Sequence, residues 1–481
     1  MDYAFRMPPF DYQLENFERF KDKPLCAIFS DPGTGKTKTA LDIVSHRWLK
    51  GLITGVLIFS SPKGVHAQWV EEQIPLHLWD NVSYSAAWWK GSNGKVPDSL
   101  FYQNKRLHIF STNIDSLNSD KAYAVLERFC HAHHGKLLII VDESDSIKSF
   151  SAKRSKKLRL LAFNAQCSQR MIMTGTPIAK DLTDEWAQFY FLDRDIIGHK
   201  YKTTFQSQFC IMGGFENRHV VGHRNIDLFK ALTRPHIFRA SKEQLHLPPQ
   251  IYDTVQFDMT DDQLRLIKEI RDTCIGVLDT EKEQRVLAST AATAILRMQQ
   301  ISCGFARVGE FENEEAIYPL PKNPRMEALL ELLDQMPDRK VIIWCRFRQD
   351  VRNVQDQLGA DCVTIHGDDL MGDRYLSKTR FVEDPDVQYL VATPDAAGKG
   401  MDGLQNACST AIYYSNSYNA ILRWQSEDRI HRIGQKTTAS YFDLIARGSP
   451  DKAILKNLRA KKDLSTLVLD DMRRIIEGKD E

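Results

Sequence analysis

The chain has 481 residues, 42% hydrophobic and 26% charged, an ordinary make-up for a globular protein of about three domains. With 64 Lys and Arg against 63 Asp and Glu the formal net charge is +1, so bulk charge selects no partner and any basic footprint must be local. The nine cysteines form no C-x-x-C pair, residues 1–9 hold no apolar signal core, and no apolar run reaches membrane-spanning length. A reducing compartment is expected, cytoplasmic in a bacterial or phage-infected cell and nuclear in a eukaryote.

In the first half, short apolar runs fall at residues 25–30, 56–60, 107–111, 137–141 and 170–174, with helical patterns at 37–49 and 121–131. Continuous apolar strands alternating with helices predict a parallel sheet covered on both faces. The pattern lapses after Leu192 and returns at 341–345, 363–366, 387–393, 411–414 and 439–444. The stretch between, about 150 residues, is too long for a loop and must carry structure of its own. Leu247-Pro248-Pro249 breaks the chain there, helices are expected at 261–278 and 283–301, and Lys322-Asn323-Pro324 precedes another at 325–335. The expected division is an N-terminal α/β lobe at 1–240, a helical linker at 241–320 and a C-terminal α/β lobe at 321–481.

The chemistry-bearing motifs follow these runs, at the carboxyl ends of strands, where open α/β sheets bind ligands. Asp31-Pro32-Gly33-Thr34-Gly35-Lys36-Thr37 leaves a strand and opens a helix, as a phosphate-cradling loop must. Gly33 and Gly35 permit close backbone approach, Lys36 reaches phosphates and Thr37 offers an oxygen to Mg²⁺. Ser30 stands where the strict pattern has glycine. Asp142-Glu143-Ser144-Asp145 ends the run at 137–141; Asp142 is read as a Mg²⁺ ligand and Glu143 as the group that activates water. Thr174-Gly175-Thr176-Pro177 follows the next run and is expected to couple the nucleotide to nucleic acid. Between them, residues 148–159 are the strongest basic run, with Lys148 nearest the acidic pair. Late in the chain, Arg429 and Arg432 lie between Gln425 and Gln435, three apart and expected on one helix face. Their forked guanidiniums suit phosphate oxygens.

In this order the motifs resemble the Swi/Snf-type branch of superfamily 2 helicases and translocases, over nearly the whole chain. Tyr12-Gln13 looks like its adenine-reading motif. Pro62-Lys63 with Trp69 and Glu72, then Ser111-Thr112, look like its first nucleic-acid motifs. Ile343-Trp344-Cys345, His366-Gly367-Asp368 with Arg374, and Ala397 through Leu404 continue the match, and Arg432-Ile433-Gly434-Gln435 is its most specific part. The resemblance implies two RecA-like parallel-sheet lobes of the P-loop NTPase kind, with ATP and Mg²⁺ as cofactors. Nucleotide contacts are then expected from Tyr12, Gln13, Gly33, Thr34, Gly35, Lys36, Thr37, Gly400 and Asp402, with Thr37 and Asp142 on the metal. Catalytic roles fall to Asp142, Glu143, Arg429 and Arg432, the arginines facing the γ-phosphate from the opposite lobe. Nucleic-acid contacts fall to Lys63, Ser111, Thr112, Lys148, Thr174, His366, Thr393 and Lys399.

Two departures touch positions expected to face DNA. Ala179-Lys180 stands where the family has Gln-Asn, and Ser415 replaces the usual aspartate. The implied function is an ATP-dependent double-stranded DNA translocase, acting as a monomer, with single-stranded DNA or RNA as other substrates and no membrane. Two alternatives stay open: a strand-separating DNA or RNA helicase, for which the sequence shows no convincing pin although a short hairpin has room near Gly213-Gly214, and a nucleic-acid-binding adaptor with a decayed motor. Intact Lys36, Asp142, Glu143, Arg429 and Arg432 argue against decay.

Overall fold

The computed structural model describes residues 3–61, 65–91, 94–102, 104–175, 182–213, 219–280, 284–308, 316–397 and 401–460. The chain divides into two compact units, Met1–His246 and Leu247–Glu481.

The first unit contains β1 Leu25–Ile28, β2 Gly55–Ser60, β3 Tyr84–Trp88, β4 Leu107–Asn113, β5 Leu137–Asp142, β6 Gln169–Met173, β7 Cys210–Gly213, β8 His219–His223 and β9 Ile237–Phe238. Seven of these form one sheet in the order β3-β4-β2-β5-β6-β1-β9, parallel at every pairing. Side chains alternate between its faces. Leu57 and Phe59 join Phe110, Ile139 and Val141 in one apolar cluster, while Val56 and Ile58 join Ile109, Ile140 and Met171 in the other. Burial on both faces is why these strands read as unbroken apolar runs. Edge strand β3 is only partly buried along its length and leaves no such run. Helix Asp120–Ala132 starts where Ser119 accepts the Ala122 N–H, a side-chain N-cap. Strands β7 and β8 pair as an antiparallel hairpin at the expected Gly213 position, its turn lying outside the described residues.

The second unit contains β10 Gln250–Phe257, β11 Phe305–Val308, β12 Ala316–Pro319, β13 Val341–Trp344, β14 Cys362–Ile365, β15 Tyr389–Ala392, β16 Thr410–Tyr413 and β17 Ala439–Ala446. Its sheet runs β10-β17-β16-β13-β15-β14, again all parallel. Ile343, Val391 and Ile412 enter one core cluster; Ile342, Leu390 and Ala411 enter the other.

The segment expected to be a helical linker at 241–320 is built differently. β10 lies within it and pairs with β17 from Gln250↔Ala439 to Phe257↔Ala446, so it is an edge of the second sheet. Helices Asp261–Thr280 and Gln284–Ser302 place Ile267, Cys274, Ile295 and Met298 in the core of the second unit. Gln263 joins the two helices by donating to the Ile301 carbonyl at 2.8 Å. All nine cysteines are free and buried, behaving as small apolar residues. Among the described residues no helix is long and apolar enough to cross a membrane.

Candidate nucleotide and nucleic-acid site

β1 ends at Ile28, and residues 30–37 turn into the helix Lys36–Leu49. Gly33 and Gly35 have φ of 79° and 78°, a left-handed conformation that penalises a Cβ. Gly35 is the helix N-cap and supplies no side-chain bond, and a glycine-capped helix N-terminus of this kind suits an anion. Lys36 Nζ donates to the Ser30 and Asp31 carbonyls at 2.8 and 3.1 Å, bonds that a phosphate would compete for. Ser30 has a structural reason to replace glycine: its buried Oγ accepts the Ala240 N–H at 2.9 Å. Asp31 Oδ2 accepts the Lys242 N–H at 3.0 Å, so the root of the loop is fastened to the end of the first unit. Tyr12 Oη and Gln13 Nε2 both donate to the Thr34 carbonyl, at 2.7 and 3.1 Å. The expected adenine readers therefore brace the loop itself.

The register runs Ile28↔Met173↔Asp142, which puts the loop root and the acidic pair level across two strand spacings, about 10 Å. Asp142 accepts from Trp69 Nε1 at 3.0 Å and from the Glu143 N–H at 3.1 Å. Burial lifts its carboxyl to about 7, Glu143's charge adds to this, and Trp69 and Lys36 oppose it. A carboxylate so placed gains from a cation. Mg²⁺ takes one or two carboxylates and fills the rest of its coordination sphere with phosphate and water. Asp142 and the partly exposed Thr37 fit that donor set. Glu143 itself is held at φ 53°, ψ 60°, a strained backbone of the kind kept at functional sites. Buried Ser144 donates to Gln188 Oε1 at 2.6 Å, tying the acidic turn to helix Leu182–Leu192.

Thr174 is buried at the end of β6. A Cβ on Gly175 would come within 2.8 Å of Pro32 Cδ, so this turn lies directly against the phosphate loop. Thr176, Pro177, Ala179 and Lys180 lie outside the described residues, as do Lys63, Lys399 and Gly400. Of the other expected nucleic-acid residues, Ser111, Thr112 and Thr393 are buried like Thr174, and their side chains present little to solvent. Lys148 and His366 are partly exposed.

In the second unit, helix Ala420–Glu427 begins at Asn419, whose side chain accepts the Leu422 N–H, and stops at Glu427. Arg429 and Arg432 therefore sit in the turns beyond it, not on a helix face as expected. The chain must reverse there toward β17, and Gly434, with φ 100°, makes part of that reversal. The arginines converge nonetheless: Nη1 of Arg429 and of Arg432 lie 3.3 and 2.5 Å from Asp402 Oδ1. Burial alone would raise the Asp402 carboxyl, but Arg432, Arg429 and Lys378 hold it at about 2.

Gln435 staples this arrangement. Its Nε2 donates to the carbonyls of Gln405, Cys408 and Ile430 at 3.3, 3.0 and 3.0 Å, and its Oε1 accepts the Lys436 and Thr437 N–H groups. The loop after Asp402 and the arginine segment are thus one body. His431 is buried, with Nε2 2.9 Å from the Pro248 carbonyl oxygen. Ser415 corrects the reading that it faces DNA: it is buried, donates to Asp350 Oδ2 at 2.5 Å and accepts the Arg346 N–H at 2.7 Å.

Sequence reading left three further roles unassigned: the bond of Trp69 to Asp142, the Gln435 staple and the buried acid Glu185. Glu185 is 2% exposed, and burial lifts its carboxyl from 4.5 to about 7, Arg239 pulling the other way. A carboxyl raised on folding contributes most at low pH, and stability is lost as pH climbs from the unfolded value through the folded one. Glu185→Gln is expected to leave the melting temperature near pH 5 little changed and to raise stability at pH 8 by up to about 3 kcal/mol. Parallel pH profiles for the two proteins would refute this.

Residues 17–305 match the SNF2-related domain, and residues 324–434 match the helicase conserved C-terminal domain. Among curated relatives, an uncharacterized ATP-dependent helicase of Mycoplasma pneumoniae is 25% identical over 77% of this chain and 34% of its own length. The SWI/SNF chromatin-remodeling complex subunit snf22 of Schizosaccharomyces pombe is 24% identical over 95% of this chain and 28% of its own. The probable ATP-dependent DNA helicase CHR12 of Arabidopsis thaliana is 24% identical, over 95% and 42%. The chain thus spans between 28% and 42% of the length of these relatives. A solved SWI2/SNF2 ATPase core of Sulfolobus solfataricus in complex with dsDNA aligns over 99% of this chain and 98% of its own, at 20% identity and a TM-score of 0.42. With a family match that spans most of its length, the chain belongs to the SNF2-related family, the Swi/Snf-type branch of superfamily 2 ATPases.

Proposed function

We propose that the chain is an ATP-dependent double-stranded DNA translocase of the Swi/Snf type. The observation that carries this reading is the level placement of the glycine loop and the Asp142-Glu143 pair in one sheet, together with an intact arginine pair carried by the second unit. Lys36 and the N–H groups of Gly33, Thr34 and Gly35 take the phosphates of ATP, and Tyr12 and Gln13 take the base. Thr37 and Asp142 would hold Mg²⁺, which would supply neutralisation of phosphate charge. Glu143 orients and deprotonates the attacking water, and Arg429 and Arg432 meet the γ-phosphate. Gly400 and Asp402 complete the proposed set of nucleotide-binding residues. Duplex DNA lies mainly on phosphate contacts, with Lys63, Lys148, His366 and Lys399 as its cations or donors and Ser111, Thr112, Thr174 and Thr393 at the supporting strand ends. Relatives named as ATP-dependent DNA helicases support DNA over RNA.

ATP turnover without nucleic acid, and with single-stranded DNA, duplex DNA or RNA, tests this reading. Duplex DNA is expected to stimulate most, to support triplex displacement, and to lose affinity steeply with salt because phosphate contacts release counterions. Turnover at the buffer level under every condition would return the chain to the adaptor class. The β7–β8 hairpin favours a second reading, strand separation. Unwinding of a forked substrate without triplex displacement would select it.

A further inference from the structure

We infer that Asp402 is a latch on the arginine pair: it neutralises Arg429 and Arg432 until ATP arrives, and capture requires them to exchange its carboxylate for phosphate oxygens. This rests on the proposed role of the arginines and adds the group that withholds them.

Both guanidiniums converge on the same oxygen, Asp402 Oδ1. The side chains of Arg429 and Arg432 are 10% and 18% exposed and that of Asp402 35%, so the acid is the most open partner of the three. A guanidinium bonded to a carboxylate must break a charge-assisted bond before it can serve a phosphate. Gln435 fixes the backbone on both sides, and Arg429 Nε is anchored on the Gln425 carbonyl at 3.2 Å. Exchange is therefore a matter of side-chain rotation, with the main chain in place. Lys378, on helix Met371–Glu383, makes release feasible. Its Cε lies 3.8 Å from where a Gly403 Cβ would stand, and its charge acts on Asp402. A cation thus remains beside the carboxylate after the arginines leave.

Asp402→Asn keeps the shape and removes the charge. Binding of ATPγS and steady-state ATP turnover, each with and without duplex DNA, are the readouts. The analogue is expected to bind about five- to tenfold tighter, and DNA-independent turnover to rise by a similar factor, because a partly exposed ion pair is a modest competitor. Asp402→Glu restores the charge and should restore wild-type behaviour, and the Asp402→Asn/Arg432→Ala double variant should lose both gains. Lys378→Met should act with the opposite sign, weakening analogue binding severalfold, and keeps the test decisive if Asp402→Asn does not fold. Unchanged or weaker binding in Asp402→Asn, or loss of turnover as severe as in Arg432→Ala, overturns the latch and makes Asp402 a support for the arginines. The underlying reading fails separately: wild-type turnover by Arg432→Ala removes the arginine role whatever Asp402→Asn does.

Discussion

Arg432→Ala is expected to bind ATP and to lose DNA-stimulated turnover by about three to five orders of magnitude, the range found where an arginine acting on a γ-phosphate has been isolated. Its fold should survive. Arg432 spends its guanidinium on Asp402, which keeps Arg429 and the charge of Lys378 when Arg432 is gone. The segment's backbone is held by Gln435 through the carbonyls of Gln405, Cys408 and Ile430, none of which involves Arg432. Binding should weaken only severalfold, by the share the arginine contributes, because the phosphate loop and its bracing residues Tyr12 and Gln13 belong to the first unit. Arg432→Lys is not a conservative rescue, since an ammonium lacks the planar fork that pairs with two phosphate oxygens. A coupled ATPase assay at saturating duplex DNA, alongside nucleotide binding by fluorescence, decides the matter. Wild-type turnover would sink the assignment.

The central strands of both sheets were legible in the sequence because each buries two faces. β2 and β5 have almost no polar residue before their last position, β4 is apolar through Phe110 apart from His108, and their ends mark the motifs. Of the four edge strands only β14 was legible, at 363–366; the other three were not. β3 is partly exposed throughout, β9 is two residues long, and β10, with Gln250, Asp253 and Gln256 along it, carries the polar side chains that an edge tolerates. The phosphate loop and the acidic pair could be read because their chemistry is local: glycine geometry, one lysine and two adjacent carboxylates. The arginine segment was read in its residues and misread in its backbone, since three-residue spacing fits a turn as well as a helix. Asp402 lies about thirty residues from its arginine partners and Asp350 about sixty-five from Ser415; local periodicity carries no information about pairs made by topology. Gln435 shows the same limit, its role being set by which carbonyls the fold brings within reach.

Asp443→Ala is expected to destabilise the second unit by about 3–5 kcal/mol, the cost of leaving a buried charge without its partner. Asp443, on β17, is fully buried and Arg423 is 6% exposed. Two guanidinium nitrogens of Arg423 meet the two carboxylate oxygens at 2.5 and 3.1 Å, and Asn416 Nδ2 donates to Oδ1 at 2.7 Å. Arg423 also lies 3.3 Å from the Tyr413 ring centroid and donates to Glu427 Oε1 at 2.6 Å. Tyr252 and Tyr441 in turn donate to Glu427, at its side chain and its carbonyl. Glu427 stays with Arg423 in the variant, which favours the lower end of the range. The pair's worth is in placement more than in net stability, because a buried ion pair replaced on both sides by apolar groups of similar volume is often neutral. The double variant Arg423→Met/Asp443→Leu should therefore recover most of the lost stability in urea or thermal unfolding. It should not recover ATP turnover, since helix Ala420–Glu427 leads into the arginine segment and would no longer be pinned to β17 by a bidentate contact. A double variant that regains both stability and turnover would show that packing alone places the arginines. A single Asp443→Ala variant that unfolds with the wild type would show that Arg423 does not depend on this carboxylate.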